Sequence, residues 1–277
     1  MNPLWIPQIA ALLRLELRKS FFSKRGFWIY ILALMPVVLF TAKSIVGIEI
    51  HRQPDFGEDT NVFATTFQLF YLRLAVFFGC LGVFMNLFRG EVLDRSLHYY
   101  FLAPVRREVL LVGKFLAGVI ATSVIFTTST VLQIAGLYWQ DGWRAFSEYL
   151  TNGNGTAHIL GYMAATILAC VGYGSIFLAA GVVFRNPLIP AAIILVWESI
   201  NSFLPSLLQK ISVIYYLKSL CPIQIIPDAG TFFAILSINT DPMPVYIAVP
   251  GLLLVSAAVL VAASFSLRRM EINYATD

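Results

Sequence analysis

Charged residues are scarce in this chain, at 12% of its 277 residues. Apolar residues make up 58% of the sequence, against roughly 45 to 50% in ordinary soluble proteins. The mean hydropathy is +0.78. This composition excludes an ordinary soluble domain and predicts an integral membrane protein.

Cysteine and histidine are too few and too scattered to form a disulfide framework or a metal site. Cys80, Cys170 and Cys221 lie far apart, and the sequence has no C-x-x-C pair. His51 and His158 have no acidic or cysteine neighbours at the spacing of metal ligands. We therefore expect no metal and no structural disulfide.

The sequence also lacks the motifs of hydrolytic and nucleotide-binding sites. There is no G-x-S-x-G and no pair of intramembrane aspartates. Gly113-Lys114-Phe115 resembles the end of a phosphate-binding loop, but it lacks the preceding glycine and the hydroxyl residue that such a loop requires. We expect that the chain is not an enzyme and that it binds no cofactor.

Long apolar runs predict an all-α membrane protein with six transmembrane helices in a single domain. About 20 helical residues cross the roughly 30 Å hydrocarbon core of a bilayer. The predicted spans are residues 27–47, 67–88, 115–137, 159–184, 188–208 and 245–267.

Two further segments lie outside these spans. Residues 8–24 place Ile9, Leu12 and Leu17 on one helix face with basic residues around them, which predicts an amphipathic helix in the headgroup layer. Residues 209–244 form a loop whose apolar part is too short to cross a bilayer, and this predicts a re-entrant segment on the outer side.

The distribution of Lys and Arg predicts the orientation. If both termini are cytoplasmic, thirteen of these residues lie on the inner side and five on the outer side. This bias follows the positive-inside rule. Because the positive charges cluster at span ends and not on a soluble face, we expect contact with lipids and none with nucleic acid.

Residues 89–114 are the one long polar interval with helical patterning. Leu93, Leu97 and Phe101 share one helix face, while charged residues occupy another. Pro104 ends the predicted helix, since the residue before a proline disfavours the helical conformation. The pattern predicts an amphipathic cytoplasmic helix between the second and third spans.

Two charged residues fall inside predicted spans. Glu198 lies at the middle of the fifth span, and Arg73 lies a few residues into the second span. Their predicted depths differ by only a few ångströms, so the two side chains can form a pair. Such a pair has two interpretations, a buried polar clamp between spans or a part of a substrate path.

The polar loop and the span pattern resemble those of the type-2 permease subunits of ATP-binding-cassette transporters. The matching loop residues are Glu91, Ser96-Leu97, Ala103-Pro104-Val105, Arg107 and Gly113-Lys114. Arg95 departs from the family pattern, which commonly has glycine there. The amphipathic start and the re-entrant outer loop match as well, so the resemblance covers essentially the whole chain.

This resemblance implies a function and a set of partners. It implies an exporter in which the polar loop is a coupling helix, docked on a separate ATPase subunit present in two copies. ATP and Mg would then be bound by that partner, and a second permease chain would complete a homodimer or heterodimer. The residues implied to contact the ATPase are Glu91, Asp94, Arg95 and His98, with Arg106 and Arg107 as secondary candidates. The absence of an organelle-targeting segment favours a bacterial inner membrane.

Two other classes of function remain open. The chain can be a membrane anchor or receptor component that uses the same loop to bind another cytoplasmic protein without transport. A membrane-embedded enzyme is the third possibility, and it requires titratable residues clustered at one depth. Arg73 and Glu198 are the main candidates for such a cluster.

Overall fold

The structure is a computed structural model that describes residues 5–22, 26–49, 56–93, 106–152, 154–184, 186, 188–223 and 243–269. Within these ranges the chain forms helices and no strand. The predicted all-α membrane class is therefore confirmed. Five of the helical stretches are long and apolar enough to cross a membrane.

The helices follow one another along the chain. The eleven α-helices described are α1 Trp5–Phe22, α2 Phe27–Glu49, α3 Phe56–Thr66, α4 Phe77–Leu93, α5 Arg107–Leu137, α6 Gly142–Asn152, α7 Gly155–Val183, α8 Leu188–Ile200, α9 Ser206–Gln209, α10 Val213–Leu220 and α11 Val245–Arg268. A π-helical segment, Phe67–Val76, joins α3 to α4, and a 3₁₀ turn, Tyr138–Asp141, joins α5 to α6.

The helices of spanning length correspond to five of the six predicted spans. They are Phe27–Glu49, Gly57–Phe88, Arg107–Asp141, Gly155–Val183 and Val245–Arg268. In the region of the remaining predicted span, 188–208, helix α8 has 13 residues, and a 3₁₀ turn and the short α9 follow it. The sixth span stays a prediction.

Helices also occupy two segments that lie between the predicted spans. Helix α3 covers Phe56–Thr66 and continues directly into the π segment. Helix α6 covers Gly142–Asn152 and is amphipathic, so it suits the surface of the bundle. The predicted re-entrant segment lies mostly within 224–242, outside the described residues.

Helix α7 occupies the centre of the bundle and packs against α4, α5, α10 and α11. Glycine allows this close approach. A Cβ atom at Gly174 would lie 2.5 Å from Cζ of Phe84, and one at Gly118 in α5 would lie 2.5 Å from the same ring. The fully buried Phe84 ring therefore fills the space that two glycines leave between α4, α5 and α7.

The π segment is the main irregularity within a spanning helix. It runs for ten residues, whereas most π-helical stretches are single turns. Its buried side chains include Tyr71 and Arg73. The one arginine of this span therefore lies in the interior of the bundle, within the π segment.

Candidate functional site

The structure describes the polar loop, residues 89–114, only at its two ends, 89–93 and 106–114. Asp94, Arg95 and His98 lie outside the described residues. Glu91 belongs to the last turn of α4. The predicted roles of these four residues remain predictions.

The two arginines at the other border of the loop have different surroundings. Arg106 precedes α5 with an extended backbone and is exposed. Nη1 of Arg107 donates hydrogen bonds to the carbonyl oxygens of Leu267, at 2.9 Å, and of Arg268, at 2.8 Å. The last carbonyls of a helix lack partners within the helix, so Arg107 caps the end of α11. Next to it, Nε of Arg268 lies 2.7 Å from Oε1 of Glu108 in a largely exposed ion pair.

Farther along α5, Lys114 forms an ion pair that is closed off from solvent. Its Nζ lies 2.6 Å from Oε1 of Glu16 in α1 and donates a second hydrogen bond, of 2.9 Å, to the carbonyl oxygen of Leu87 in α4. Both charged side chains are 0% exposed. The ammonium group also lies 5.4 Å from the centre of the Phe88 ring. Removing one partner of such a pair costs about 3 to 5 kcal/mol, since the other charge stays buried without compensation.

The close packing of α1 on α5 brings these two charges together. Leu12 of α1 lies over Gly113, where an added Cβ would come within 3.1 Å of Cδ1 of Leu12. Glu16 follows Leu12 by four residues and therefore lies on the same helix face. We call the contacts that Arg107, Glu108 and Lys114 make with α1, α4 and α11 the α5 junction.

Sequence reasoning missed the α5 junction, although one signal of it is visible. Glu16 is the only acidic residue in α1, and it stands on the apolar face of an otherwise basic helix. Burying an unpaired carboxylate costs free energy, so a lone carboxylate at such a position indicates a cationic partner. Nothing in the local sequence indicates that this partner is Lys114, which lies 98 positions away.

The structure brings the predicted intramembrane residues Arg73 and Glu198 near each other. Their side chains are 8% and 4% exposed, respectively, and they interact electrostatically. The fully buried Tyr173 of α7 interacts electrostatically with both. This arrangement is compatible with both interpretations of the pair, and the choice between them stays a prediction.

Glu198 has a second set of partners that the sequence did not suggest. Its Oε2 accepts hydrogen bonds from Oγ of Ser212, at 2.9 Å, and from the backbone N–H of Ile214, at 2.8 Å. Its Oε1 accepts one of 3.0 Å from the N–H of Val213. These donors stand at the start of α10, where backbone N–H groups lack helical partners and favour a negative charge. Glu198 therefore holds the N-terminus of α10 in place.

Hydroxyl groups link the π segment, α5 and α7 deeper in the bundle. The Tyr71 hydroxyl donates to the carbonyl oxygen of Phe126 at 2.6 Å. Oγ1 of Thr130 donates to the same oxygen at 2.9 Å and lies 3.2 Å from Oγ1 of Thr166. Such buried bonds between helices are typical of membrane bundles and stabilise their packing.

A polar cluster and an apolar cavity occupy the opposite end of α5 from the α5 junction. Asp59, which is 0% exposed, forms an ion pair with Lys43 and accepts a hydrogen bond of 2.8 Å from Gln140. The cavity has a volume of about 380 Å³. Its lining residues, all uncharged, are Ala135, Tyr138, Trp139, Gly142 and Phe146.

Metal-binding geometry is not found among the described residues, where no group of three His, Cys, Asp or Glu side chains lies close enough to hold an ion. Cys80, Cys170 and Cys221 are buried free thiols. Burial raises the pKa of Cys221, which lies outside the spanning helices, to about 12, so its reactive thiolate is scarce at neutral pH.

Comparison with protein-family models gives no match, and no curated protein sequence matches this chain. An interpretation of its function therefore depends on the residues and contacts described above.

Proposed function

We propose that this chain is the transmembrane permease subunit of an ATP-binding-cassette exporter, driven by a separate ATPase subunit. The observation that carries the proposal is the α5 junction. The polar stretch 94–105 leads directly into α5, and the first turns of α5 are bonded to α1, α4 and α11. A force applied to this stretch therefore reaches three other helices. A loop that served only to set topology would need no such connections.

The polar stretch has the dimensions of a docking element. The amphipathic helix that the sequence predicts for residues 91–102 would span about 18 Å, enough to cross a groove on a soluble partner. In this proposal Glu91, Asp94, Arg95 and His98 face the ATPase, and the exposed Arg106 adds a contact at the border. In this proposal Arg107 does not contact the ATPase directly, because its guanidinium group binds the end of α11.

The charge distribution supports a cytoplasmic location of this surface, on the side of the membrane that contains ATP. Thirteen Lys and Arg residues against five favour cytoplasmic termini and a cytoplasmic loop. The sequence has no phosphate-binding loop, so ATP and Mg bind to the partner, and two ATPase copies serve two permease chains. Large exposed apolar side chains on α2 and α11, such as Val38 and Leu254, suit contact with lipid or with the second permease chain.

Capture of the partner tests the proposal. The chain is solubilised from its native membrane in mild detergent and purified, and the proteins that remain bound are identified by mass spectrometry and assayed for ATP turnover. We expect an ATP-binding-cassette ATPase with the wild type. Glu91→Arg should abolish its capture, because a reversed charge at the docking surface repels the complementary site.

The matched control is Glu148→Arg, which makes the same change at an exposed position on α6 at the opposite end of α5. It should leave ATPase capture and turnover unchanged. Recovery of the chain alone would contradict the proposal. Recovery of another cytoplasmic protein without ATP turnover would favour an anchor or receptor component.

A further inference from the structure

We propose that the Glu16–Lys114 ion pair makes α1, the end of α4 and the start of α5 move as one rigid unit. This inference rests on the proposed function in one respect, because the unit is what the ATPase would push through the polar loop. Glu16 and Lys114 are positioning residues in this proposal. They touch neither ATP nor the transported molecule, and they fix which helices follow the loop.

One ammonium group joins three chain segments that are distant in the sequence. Lys114 itself belongs to α5, its anionic partner to α1 and its carbonyl partner to α4. The two hydrogen bonds, of 2.6 and 2.9 Å, use two of the three donors of the ammonium group. No single displacement of α1, α4 or α5 against the other two can preserve both bonds.

The absence of solvent at the pair makes this connection stiff. Apolar side chains can slide past each other with small losses, since dispersion contacts are individually weak and non-directional. Separating Glu16 from Lys114, both 0% exposed, would instead leave two buried charges without compensation. Oε2 of Glu16 is also buried and has no hydrogen bond within the described part of the chain, so Lys114 is the partner on which this carboxylate depends.

The contact of α5 with α11 is more exposed to solvent than the Glu16–Lys114 pair. The bond from Arg107 to the carbonyl oxygen of Arg268 is exposed, and the Glu108–Arg268 pair is largely exposed as well. Water can replace both interactions at low cost. The bond from Arg107 to the carbonyl oxygen of Leu267 is half-buried. The α5 junction thus combines a fully buried connection to α1 and α4 with a largely exposed connection to α11, and we assign the rigid unit to the buried part alone.

Spin-label distances in the isolated chain test the rigid unit without any partner. Labels are attached at cysteines introduced at Ala11, exposed on α1, and at Val112, 43% exposed on α5. The three native cysteines are buried and are replaced by alanine for labelling. In lipid nanodiscs we expect one narrow distance distribution for the wild type.

Lys114→Met should lose this narrow distribution and give a broad one, because α1 is released from α5. Since that variant leaves a buried carboxylate without a cation, and misfolding would also broaden the distribution, Glu16→Asp is the second variant. It keeps the charge but shortens the side chain by one methylene, and it should give an intermediate width. Glu108→Gln removes only the exposed pair and should leave the wild-type distribution intact.

The same labels in the complex with the captured ATPase test the role in coupling. The α1–α5 distance of the wild type should be the same without nucleotide and with ATP, whereas in Glu16→Asp it should shift with nucleotide while capture of the ATPase persists. A wild-type distance that shifts with nucleotide would overturn the inference. So would a distribution in the isolated chain that Lys114→Met and Glu16→Asp leave unchanged. Failure of the wild type to capture any ATPase would instead reject the proposed function, while the distances in the isolated chain would still decide whether the rigid unit exists.

Discussion

The carboxylate of Glu198 accepts a hydrogen bond of 2.8 Å from the backbone N–H of Ile214, across the segment that contains α9 and separates α8 from α10. The same carboxylate binds the hydroxyl of Ser212 and the N–H of Val213. One buried side chain thus caps a helix that begins fifteen residues later. This contact suggests that Glu198 organises the segment after α8, whatever its second role beside Arg73.

Glu198→Gln should destabilise the protein by about 1 to 3 kcal/mol, because an amide replaces one acceptor oxygen with a donor that opposes the N–H groups of α10. The measurement is denaturant-induced unfolding in detergent. Glu148→Gln, at an exposed position, is the control and should have little effect. Equal stability of the two variants would show that the cap is unimportant.

Arg73 and Glu198 should be energetically coupled. A double-mutant cycle with Arg73→Gln and Glu198→Gln should give an interaction free energy of about 0.5 to 3 kcal/mol, since the charges attract each other in a region with little solvent. Unfolding of the wild type, both single variants and the double variant supplies the four values. Strict additivity would reject the pair that the sequence suggests.

Stability should rise with pH because of Lys218 in α10. Burial, followed by the positive charge of Arg73, lowers the pKa of Lys218 to about 8, although the negative charge of Glu198 acts in the opposite direction. The folded state releases this proton near pH 8, whereas the unfolded chain holds it up to about pH 10.5. Because the unfolded state binds more protons between these pH values, the free energy of unfolding increases across that window.

Lys218→Met should remove this dependence. The thermal midpoint of the wild type, measured relative to that of the variant, should therefore rise between pH 8 and pH 10.5. Lys210→Met removes an exposed lysine of the same region and serves as the control. A constant difference between the wild type and Lys218→Met over the window would show that Lys218 titrates alike in both states.

Gly174 and Gly82 should respond in opposite ways to alanine. At Gly174 the new Cβ would lie 2.5 Å from the Phe84 ring, so Gly174→Ala should cost about 1 to 3 kcal/mol through overpacking. At Gly82 the nearest atom lies 3.8 Å away, and the higher helix propensity of alanine should stabilise the protein by up to about 1 kcal/mol. Thermal unfolding of both variants checks the contrast. A stable Gly174→Ala would show that the α4–α7 interface adapts.

The sequence predicts the spans well because long apolar runs occur mainly in helices that cross a membrane. Its limits appear at the span ends. The third span was predicted to start at residue 115, whereas α5 starts at Arg107. Hydropathy counts Arg107 and Lys114 as loop residues, yet both are accommodated in the helix by partners that lie far away in the sequence.

Irregular segments were the harder part to predict. The π segment has no compositional signal, because its residues would suit an ordinary apolar helix equally well. The helix α8 stops at Ile200 although apolar residues continue beyond it. Asn201 donates to the carbonyl oxygen of Gln209 at 3.3 Å there, a bond that depends on how the turn folds and not on local propensity. The sequence suggests Arg73 and Glu198 as a pair because depth restricts the partners of an intramembrane charge, and the pair stays a prediction.

The hydrogen bonds from Arg107 to the end of α11 also determine the order in which the contacts of α5 form during synthesis of the chain. Its acceptors, the carbonyl groups of Leu267 and Arg268, lie 160 and 161 positions downstream. At 5 to 20 residues per second, a ribosome needs roughly 8 to 30 s to make the intervening chain. Lys114 and Glu16 can meet long before this, as soon as α5 has entered the membrane. The contacts at the start of α5 are therefore completed in two stages, and the second stage must wait until the last spanning helix has been inserted.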